Sequence, residues 1–589
     1  MQQPQSYYQK NVQKYQVQLQ QLKQKSLWIS ISRFVVFIVA VLVLYFNFNV
    51  QTLLGVAIIF IPFFLILLSK STDVKNAIAT TQAFLKLNQD ELKILSGDFS
   101  MNDNGKAFAN PEHFYAYDID LFGDYSFFQN INRSTKISSK IALAGLLLAN
   151  DNQNIPLKQE AVKELASKPD WRQKLLVVSN RDQSKIAPSK IIAWFQSYQP
   201  KSAKWMLYVP ILFGIISIIL SVAFYLGQID AKIFGAWFVL GLGIIRKNQK
   251  NIYKLYTDLD AIMPSLISLK NTMLLVENEK FKSSLLQGLV PAEVSAEKSI
   301  SHKLDALIKI YKRKELTNSI IIKLLADAYF LFDILSFYQF ENWIERHKNE
   351  IKEWYNSVDT MEAYSQFGNY AFNHPDFVYP EIVQDHRMML ATQFGHPLID
   401  KSKRVNNDFS IHSDEFFIIT GANMAGKSTF LRTVSLGIVM ANVGLPVCAE
   451  KFVYQPVKLI TSMRTNDSLS KEESYFFSEL KRLRFIIDQI STDTYFIALD
   501  EILKGTNSKD KAEGSKKFVE KLMHTGTTGI IATHDLSLCT LEDTYDSIHN
   551  YFFDAEIIND ELYFDYKLKT GICQNMNASF LLKKMQIID

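Results

Sequence analysis

The chain has 589 residues, 48% of them hydrophobic, with 64 lysines and arginines against 60 aspartates and glutamates, a formal net charge of +4. That length holds roughly three or four ordinary domains and excludes a small stapled scaffold. The balanced charge gives no whole-chain argument for nucleic acid, so any basic surface must be local. Three cysteines, Cys448, Cys539 and Cys573, form no Cys-x-x-Cys pair, which argues against a zinc site or disulfide framework and for a reducing compartment. A mean hydropathy of −0.01 is high for a chain that is 21% charged; the apolar residues must be concentrated.

From the N-terminus, residues 1–26 are polar and Gln-rich, read as a helix or a disordered tail. Phe34–Phe46 follows without a charge, then a polar break at 47–51, then Thr52–Ser69, again uncharged. A second pair runs from Trp205 to Gly227 and from Ile233 to Ile245. A bilayer core asks for about 20 apolar residues per helix. The middle two runs meet this, and the outer two reach it with flanking residues from Leu27 and Gln228 onward. A cleaved signal peptide is excluded because a second apolar run follows within a few residues. The reading is four transmembrane helices in two hairpins, 27–69 and 205–245. Basic residues set the orientation. Lys10, Lys14, Lys23, Lys25 and Arg33 flank the start, Lys70 and Lys75, then Lys201 and Lys204, flank the middle, and Arg246, Lys247, Lys250 and Lys254 the end. Both turns then face outward. The N-terminus, the segment 70–204 and everything after 246 are expected in the cytoplasm, with the chain multi-pass in a membrane, a bacterial inner membrane by preference. Asn251 to Glu350 alternates apolar and polar residues at helical spacing with few Gly or Pro, which predicts long amphipathic helices.

The last third carries chemistry. Phe416-Phe-Ile-Ile-Thr is a β-rich run before Gly421-Ala422-Asn423-Met424-Ala425-Gly426-Lys427-Ser428-Thr429, and a helical pattern follows. This is the phosphate-loop pattern G-x-x-x-x-G-K-S in its strand–loop–helix setting. The glycines let backbone N–H groups close around phosphates, and the helix N-terminus adds its positive dipole end. Lys427 is assigned to the β- and γ-phosphates of ATP and Ser428 to Mg²⁺. Tyr495-Phe-Ile-Ala-Leu-Asp500-Glu501 is an apolar strand ending in two acids. Asp500 suits the Mg²⁺ shell and Glu501 the polarisation of an attacking water. Gly529-Ile-Ile-Ala-Thr-His534 is the next strand, and His534 at its end is assigned to sensing the γ-phosphate.

These residues resemble the MutS mismatch-repair ATPases. The likeness lies in Asn423-Met424 before Gly-Lys-Ser-Thr, in Asp500-Glu-Ile-Leu-Lys-Gly-Thr-Asn-Ser-Lys-Asp510, in Ala532-Thr-His, and in Gly395-His-Pro-Leu-Ile399. Residues from Tyr551 through Gly571 to Ile587 look like the family's closing strand and C-terminal helical pair. Asp120-Leu-Phe and Asn132-Arg-Ser-Thr-Lys look like the start of its helical core. The resemblance implies an α/β P-loop, ABC-type ATPase domain at 380–589. It is preceded by an all-α core or lever region, 70–204 and 246–379, which the second hairpin interrupts. It further implies a homodimer in which each nucleotide meets a signature serine of the other subunit. Ser474, in Glu-Ser-Tyr-Phe-Phe-Ser-Glu, is preferred for that serine over Ser470, and an acid, Glu472 or Glu473, replaces the glycine usual before it. The mismatch-reading N-terminal domain finds no counterpart, its place being taken by a membrane hairpin, and no nuclease-like extension is read after 589.

DNA binding rests on the resemblance alone. The nearest basic run, Tyr311-Lys-Arg-Lys-Glu315, is short enough to be a solvated helix face. The expected function is a membrane-anchored, dimeric ATPase that hydrolyses ATP with Mg²⁺ and binds DNA. The alternative is an ATP-gated membrane scaffold or signalling switch without DNA. A transporter subunit ranks last, because a pathway needs ionisable or polar residues that these spans lack.

Overall fold

The computed structural model describes residues 3–180, 186–290, 299–316, 319–464, 475–504, 507–558 and 561–574. The first helices are α1 (Pro4–Phe46), α2 (Val50–Leu95), α3 (Phe127–Ile131), α4 (Ile137–Leu148), α5 (Ile155–Ala166), α6 (Pro169–Ser179) and α7 (Pro188–Ser197). Next come α8 (Trp205–Tyr225), α9 (Ala231–Glu277), α10 (Ser284–Leu289), α11 (Ile300–Leu316), α12 (Ile320–Phe330), α13 (Phe332–His347) and α14 (Ile351–Asn373). The remainder is α/β. It contains β1 (Glu381–Ile382), β2 (Met389–Phe394), β3 (Asn407–Ile411), β4 (Phe416–Gly421), α15 (Lys427–Asn442), β5 (Lys451–Tyr454) and β6 (Lys458–Ser462). It continues through α16 (Tyr475–Ile490), β7 (Tyr495–Asp500), α17 (Ser508–His524), β8 (Thr528–Ala532), β9 (Ile548–Phe553), β10 (Glu556–Ile558), β11 (Glu561–Tyr563) and β12 (Leu568–Thr570).

The chain divides into two compact units: 1–132 with 147–173 and 367–589, and 133–146 with 174–366. In the first unit the main sheet has the order β12-β9-β4-β8-β7-β6. Five strands, β9, β4, β8, β7 and β6, run parallel, and β12 closes one edge antiparallel to β9. Phe416, Phe417, Ile418 and Ile419 of β4 are all buried, as a parallel strand covered on both faces requires. Because β4, β8 and β7 point the same way, their carboxyl ends gather, with Ile419 beside Ala532 and Ala532 beside Asp500. That is the edge where open α/β sheets bind ligands. A smaller sheet, β1-β5-β2-β3, takes β1 to β3 from before β4 and β5 from between α15 and β6.

The same unit contains the first hairpin, whose helices do not stop where the apolar residues do. At 43 residues α1 is about 65 Å long, and residues 4–26 continue the apolar run as one helix. Tyr8 near its start donates to Asn373 Oδ1 (2.8 Å), and the Asn373 amide donates to Glu91 Oε2 of α2 (2.9 Å). The polar start of the chain is thereby fastened.

In the second unit the segment Asn132-Arg-Ser-Thr-Lys acquires a purpose. Ser134 Oγ donates to Glu362 (2.5 Å) and Lys136 pairs with Asp359 (3.1 Å), tying α4's approach to α14. The basic run on α11 is a partnered helix face: Lys314 bridges to Asp260 (3.2 Å). One stretch departs from the amphipathic pattern expected for 251–350. Helix α12 is apolar, yet Ile320, Ile321, Ile322, Leu324 and Leu325 are exposed. By length and composition α1, α2, α8 and α9 are each long and apolar enough to cross a membrane.

Candidate nucleotide site

The loop between β4 and α15 needs glycine at both ends. Gly421 has φ +146° and Gly426 φ +107°; a Cβ on Gly421 would lie 2.5 Å from the Phe553 carbonyl oxygen. Met424 at the tip also takes the left-handed conformation, φ 68°, and its side chain is exposed. Gly426 caps α15, so the first free N–H groups of that helix open at the loop, an arrangement that favours an anion.

Lys427 Nζ donates to the carbonyls of Gly421 (2.7 Å) and Ala422 (2.9 Å) and lies 3.2 Å from His534 Nε2. Burial lowers the Lys427 pKa, opposed by the charges of Asp500 and Glu501. Ser428 Oγ donates to Asp500 Oδ2 (2.5 Å). A hydroxyl and a carboxylate side by side are hard oxygen donors of the kind Mg²⁺ takes, and Mg²⁺ sites use few protein ligands. Among the described residues no group of three or more His, Cys, Asp or Glu is placed to hold a metal, so Ser428 and Asp500 are the donors that fit.

Glu501 follows β7 with φ 51°, a strained conformation for a residue with a long side chain. Its N–H donates to the Ala532 carbonyl (2.9 Å), and its carboxylate meets His534 Nε2 (3.2 Å) and Lys504 Nζ (3.7 Å). Burial, then the charge of Lys427, lowers the His534 pKa, with Glu501 opposing. The strained turn is held by Glu479 of α16, a buried carboxylate that accepts from the N–H groups of Leu503 (2.5 Å) and Lys504 (3.0 Å). Burial raises its pKa, and these backbone donors oppose the shift.

Ala422, Asn423, Met424, Gly426, Lys427, Ser428, Thr429, Asp500, Glu501 and His534 all line one cavity of about 640 Å³. Gly421 and the buried Ala425 shape the loop behind it. The cavity's apolar wall was not foreseen from the motifs. It is built by Phe394, Ile399, Phe430, Phe553 and Tyr566. Tyr566 is fixed by Asn407, which donates to its carbonyl (3.0 Å) and accepts from Leu568 N–H (2.8 Å). His396 joins this wall, its pKa lowered to about 4 by burial and by Arg432. A ring-rich wall opposite a phosphate loop suits a flat base.

Asp118 and Asp120 brace the exit of β6. Asp118 accepts from Thr461 Oγ1 (2.5 Å) and Arg464 N–H (2.9 Å), and Asp120 pairs with Arg464 and, at 2.9 Å, with Arg432 of α15. Ser470 and Ser474, with Glu472 and Glu473, lie outside the described residues, as does the chain from 575 onward that was read as the helical pair.

Comparison with known proteins agrees with the motifs. Residues 417–585 match the family model for MutS domain V. Similar curated proteins include MutS protein homolog 4 of Homo sapiens, 29% identical over 213 residues, 34% of this chain and 22% of the relative. DNA mismatch repair protein MutS of Methanococcoides burtonii is 29% identical over 237 residues, 39% of this chain and 26% of the relative. The MutS of Macrococcus caseolyticus is 26% identical over 259 residues, 43% and 30%. The chain thus spans less than a third of the length of these relatives.

Proposed function

Starting from a chain whose residues 417–585 belong to the MutS family, we propose that it is a membrane-anchored ATPase that works as a dimer and couples its ATP cycle to DNA binding. The observation that carries the ATPase part is the convergence of Lys427, Ser428, Asp500, Glu501 and His534 on one cavity. Lys427 exchanges the Gly421 and Ala422 carbonyls for the β- and γ-phosphates, which have more charge to offer a buried ammonium. The loop N–H groups and the start of α15 hold the phosphate oxygens. Ser428 and Asp500 would hold Mg²⁺, which neutralises charge building on the phosphates. Glu501, held rigidly by its strained backbone and by Glu479, accepts a proton from the attacking water. His534, between Lys427 and Glu501, reads whether a γ-phosphate is present. The base rests against the wall of Phe553, Tyr566 and Ile399, and Ser474 of a second copy completes the phosphate site. The hairpins anchor the protein in a bacterial inner membrane, with the ATPase in the cytoplasm.

Replacing the base separates binding from chemistry. Glu501→Gln is expected to retain ATP while turnover falls by roughly 100-fold or more, the usual share of a general base. Hydrolysis at the normal rate would refute Glu501 as the base.

The second reading, an ATP-gated scaffold or signalling switch without DNA, is favoured by one fact: the matched relatives agree with this chain over 22–30% of their length. The two readings divide on the full-length protein in detergent. A DNA binder loses affinity steeply as salt rises, in proportion to the phosphates it neutralises. No binding at low salt removes the first reading.

A further inference from the structure

Helix α12 is too short for a span and too apolar for an ordinary surface helix. Its 11 residues, Ile-Ile-Ile-Lys-Leu-Leu-Ala-Asp-Ala-Tyr-Phe, rise about 16 Å, half of a hydrocarbon core. An apolar run of this length belongs to a buried core or to a re-entrant or interfacial membrane segment. It is not a core helix: Ile320, Ile321 and Ile322 are 85%, 71% and 52% exposed, and Leu324 and Leu325 are exposed beside them.

Its other face is docked on the second apolar hairpin. A Cβ on Gly241 of α9 would lie 2.1 Å from the Ala328 carbonyl oxygen, and one on Gly214 of α8 would lie 3.2 Å from the Phe330 ring. Such backbone approach through glycine is how helices associate in lipid. Tyr329 stacks on Phe234 (5.1 Å), which stacks on Phe224 (5.1 Å). These partners all lie within the uncharged stretches of α8 and α9, so the end of α12 reaches the depth of the spans.

The chain then turns back. Leu331, with φ 48° and fully buried, breaks the helix, and α13 leads to Glu341, which accepts from the N–H groups of Lys201 (2.9 Å) and Ser202 (2.5 Å) just before α8 begins. On the other side α11, ahead of α12, is tied by Lys314 to Asp260, well past Ile245, where the uncharged run of α9 ends. Entry and exit are on the same side. The charges pair beyond the uncharged run of α9, where Tyr256 lies: Lys323 pairs with Asp333 (3.1 Å), Asp333 N–H donates to Asp327 (3.0 Å), and Tyr256 donates to Asp333 (3.2 Å).

We propose that α12, turning back at Leu331, forms the inserted arm of a re-entrant helical hairpin in the bilayer, and that the exposed face of Ile320 to Leu325 contacts lipid acyl chains. The inference rests on the membrane reading of α8 and α9. It gives the lever region a lipid-facing element that the four spans do not include.

Spin labels test it on the full-length protein in liposomes. The three native cysteines are buried, so single variants Ile321→Cys and Leu325→Cys, with Ile218→Cys on α8 as span control and Lys190→Cys as aqueous control, report their own surroundings. Collision with oxygen and with a water-soluble nickel chelate is measured. Labels at 321 and 325 are expected to match 218: open to oxygen, closed to the chelate. Chelate access at 321 and 325 like that at 190, with 218 closed, overturns the re-entrant hairpin and leaves the spans intact. Protection of 321 and 325 from both reagents means protein covers this face and also overturns it. Chelate access at 218 itself overturns the membrane reading, and the hairpin with it.

Discussion

In the first apolar hairpin no residue of Phe34–Phe46 or Thr52–Ser69 is buried; in the second, Met206, Pro210, Phe213, Gly214 and Ser217 of α8 and Gly241 of α9 are. Composition alone does not separate them, since both pairs are nearly free of charge. Their small residues do. Gly55 in α2 has nothing within 4 Å of an added Cβ, whereas Gly241 and Gly214 are occupied by the backbone and ring of α12's last turn. The first hairpin presents a bare apolar surface, continues as α1 and α2 into the nucleotide-binding unit and is fastened there by Tyr8, Asn373 and Glu91. The second is a framework on which another element is packed. Apolarity puts a segment in lipid; close approach through small residues decides whether it also holds something there.

The sharpest way to break that contrast is one methyl group. Alanine is a better helix former than glycine by about 1 kcal/mol, so on propensity alone Gly55→Ala and Gly241→Ala both stabilise. Packing reverses the sign at 241, where the methyl meets backbone that cannot swing aside; overpacking of this kind costs about 1–3 kcal/mol. Thermal unfolding of the full-length protein in nanodiscs is expected to show a lower midpoint for Gly241→Ala and an unchanged or higher one for Gly55→Ala. Shifts of the same sign would mean that the two hairpins are equivalent.

The nucleotide site and α12 differ in how much of each was legible in the sequence. Gly421 to Thr429 is one continuous segment, so its strand, loop and helix are written side by side. Asp500 and His534 are strand ends, and parallel pairing through β8 places them beside that loop. What escaped the sequence is what depends on pairing at a distance. Glu479 reaches Leu503 across 24 residues, although it is the last residue of the segment quoted for its signature serine. Phe553 and Tyr566 reach the cavity from the far side of β4. Helix α12 escaped for another reason. Its 11 residues, Lys323 and Asp327 among them, fall below the length of a span, and its flanks α11 and α13 carry the amphipathic pattern that hides it. Only the exposure of its apolar face, set against Gly241 and Gly214, distinguishes it.

The smallest expected effect tests whether polar contacts also hold the second hairpin together. Ser217 of α8 accepts a hydrogen bond from the Trp237 indole of α9 (2.8 Å) and itself donates to the Phe213 carbonyl (2.8 Å), while Phe213 stacks on Trp237 at 4.2 Å. Hydrogen bonds between helices in lipid average about 0.6 kcal/mol, because the separated helices find other partners. Ser217→Ala removes the acceptor and keeps the small volume, so the ring stack survives. A destabilisation of about 0.5–1 kcal/mol, below that of Gly241→Ala in the same unfolding assay, would make close backbone packing the main hold between α8, α9 and α12. A loss larger than that of Gly241→Ala would reverse the order and make the half-buried indole the hinge of the framework.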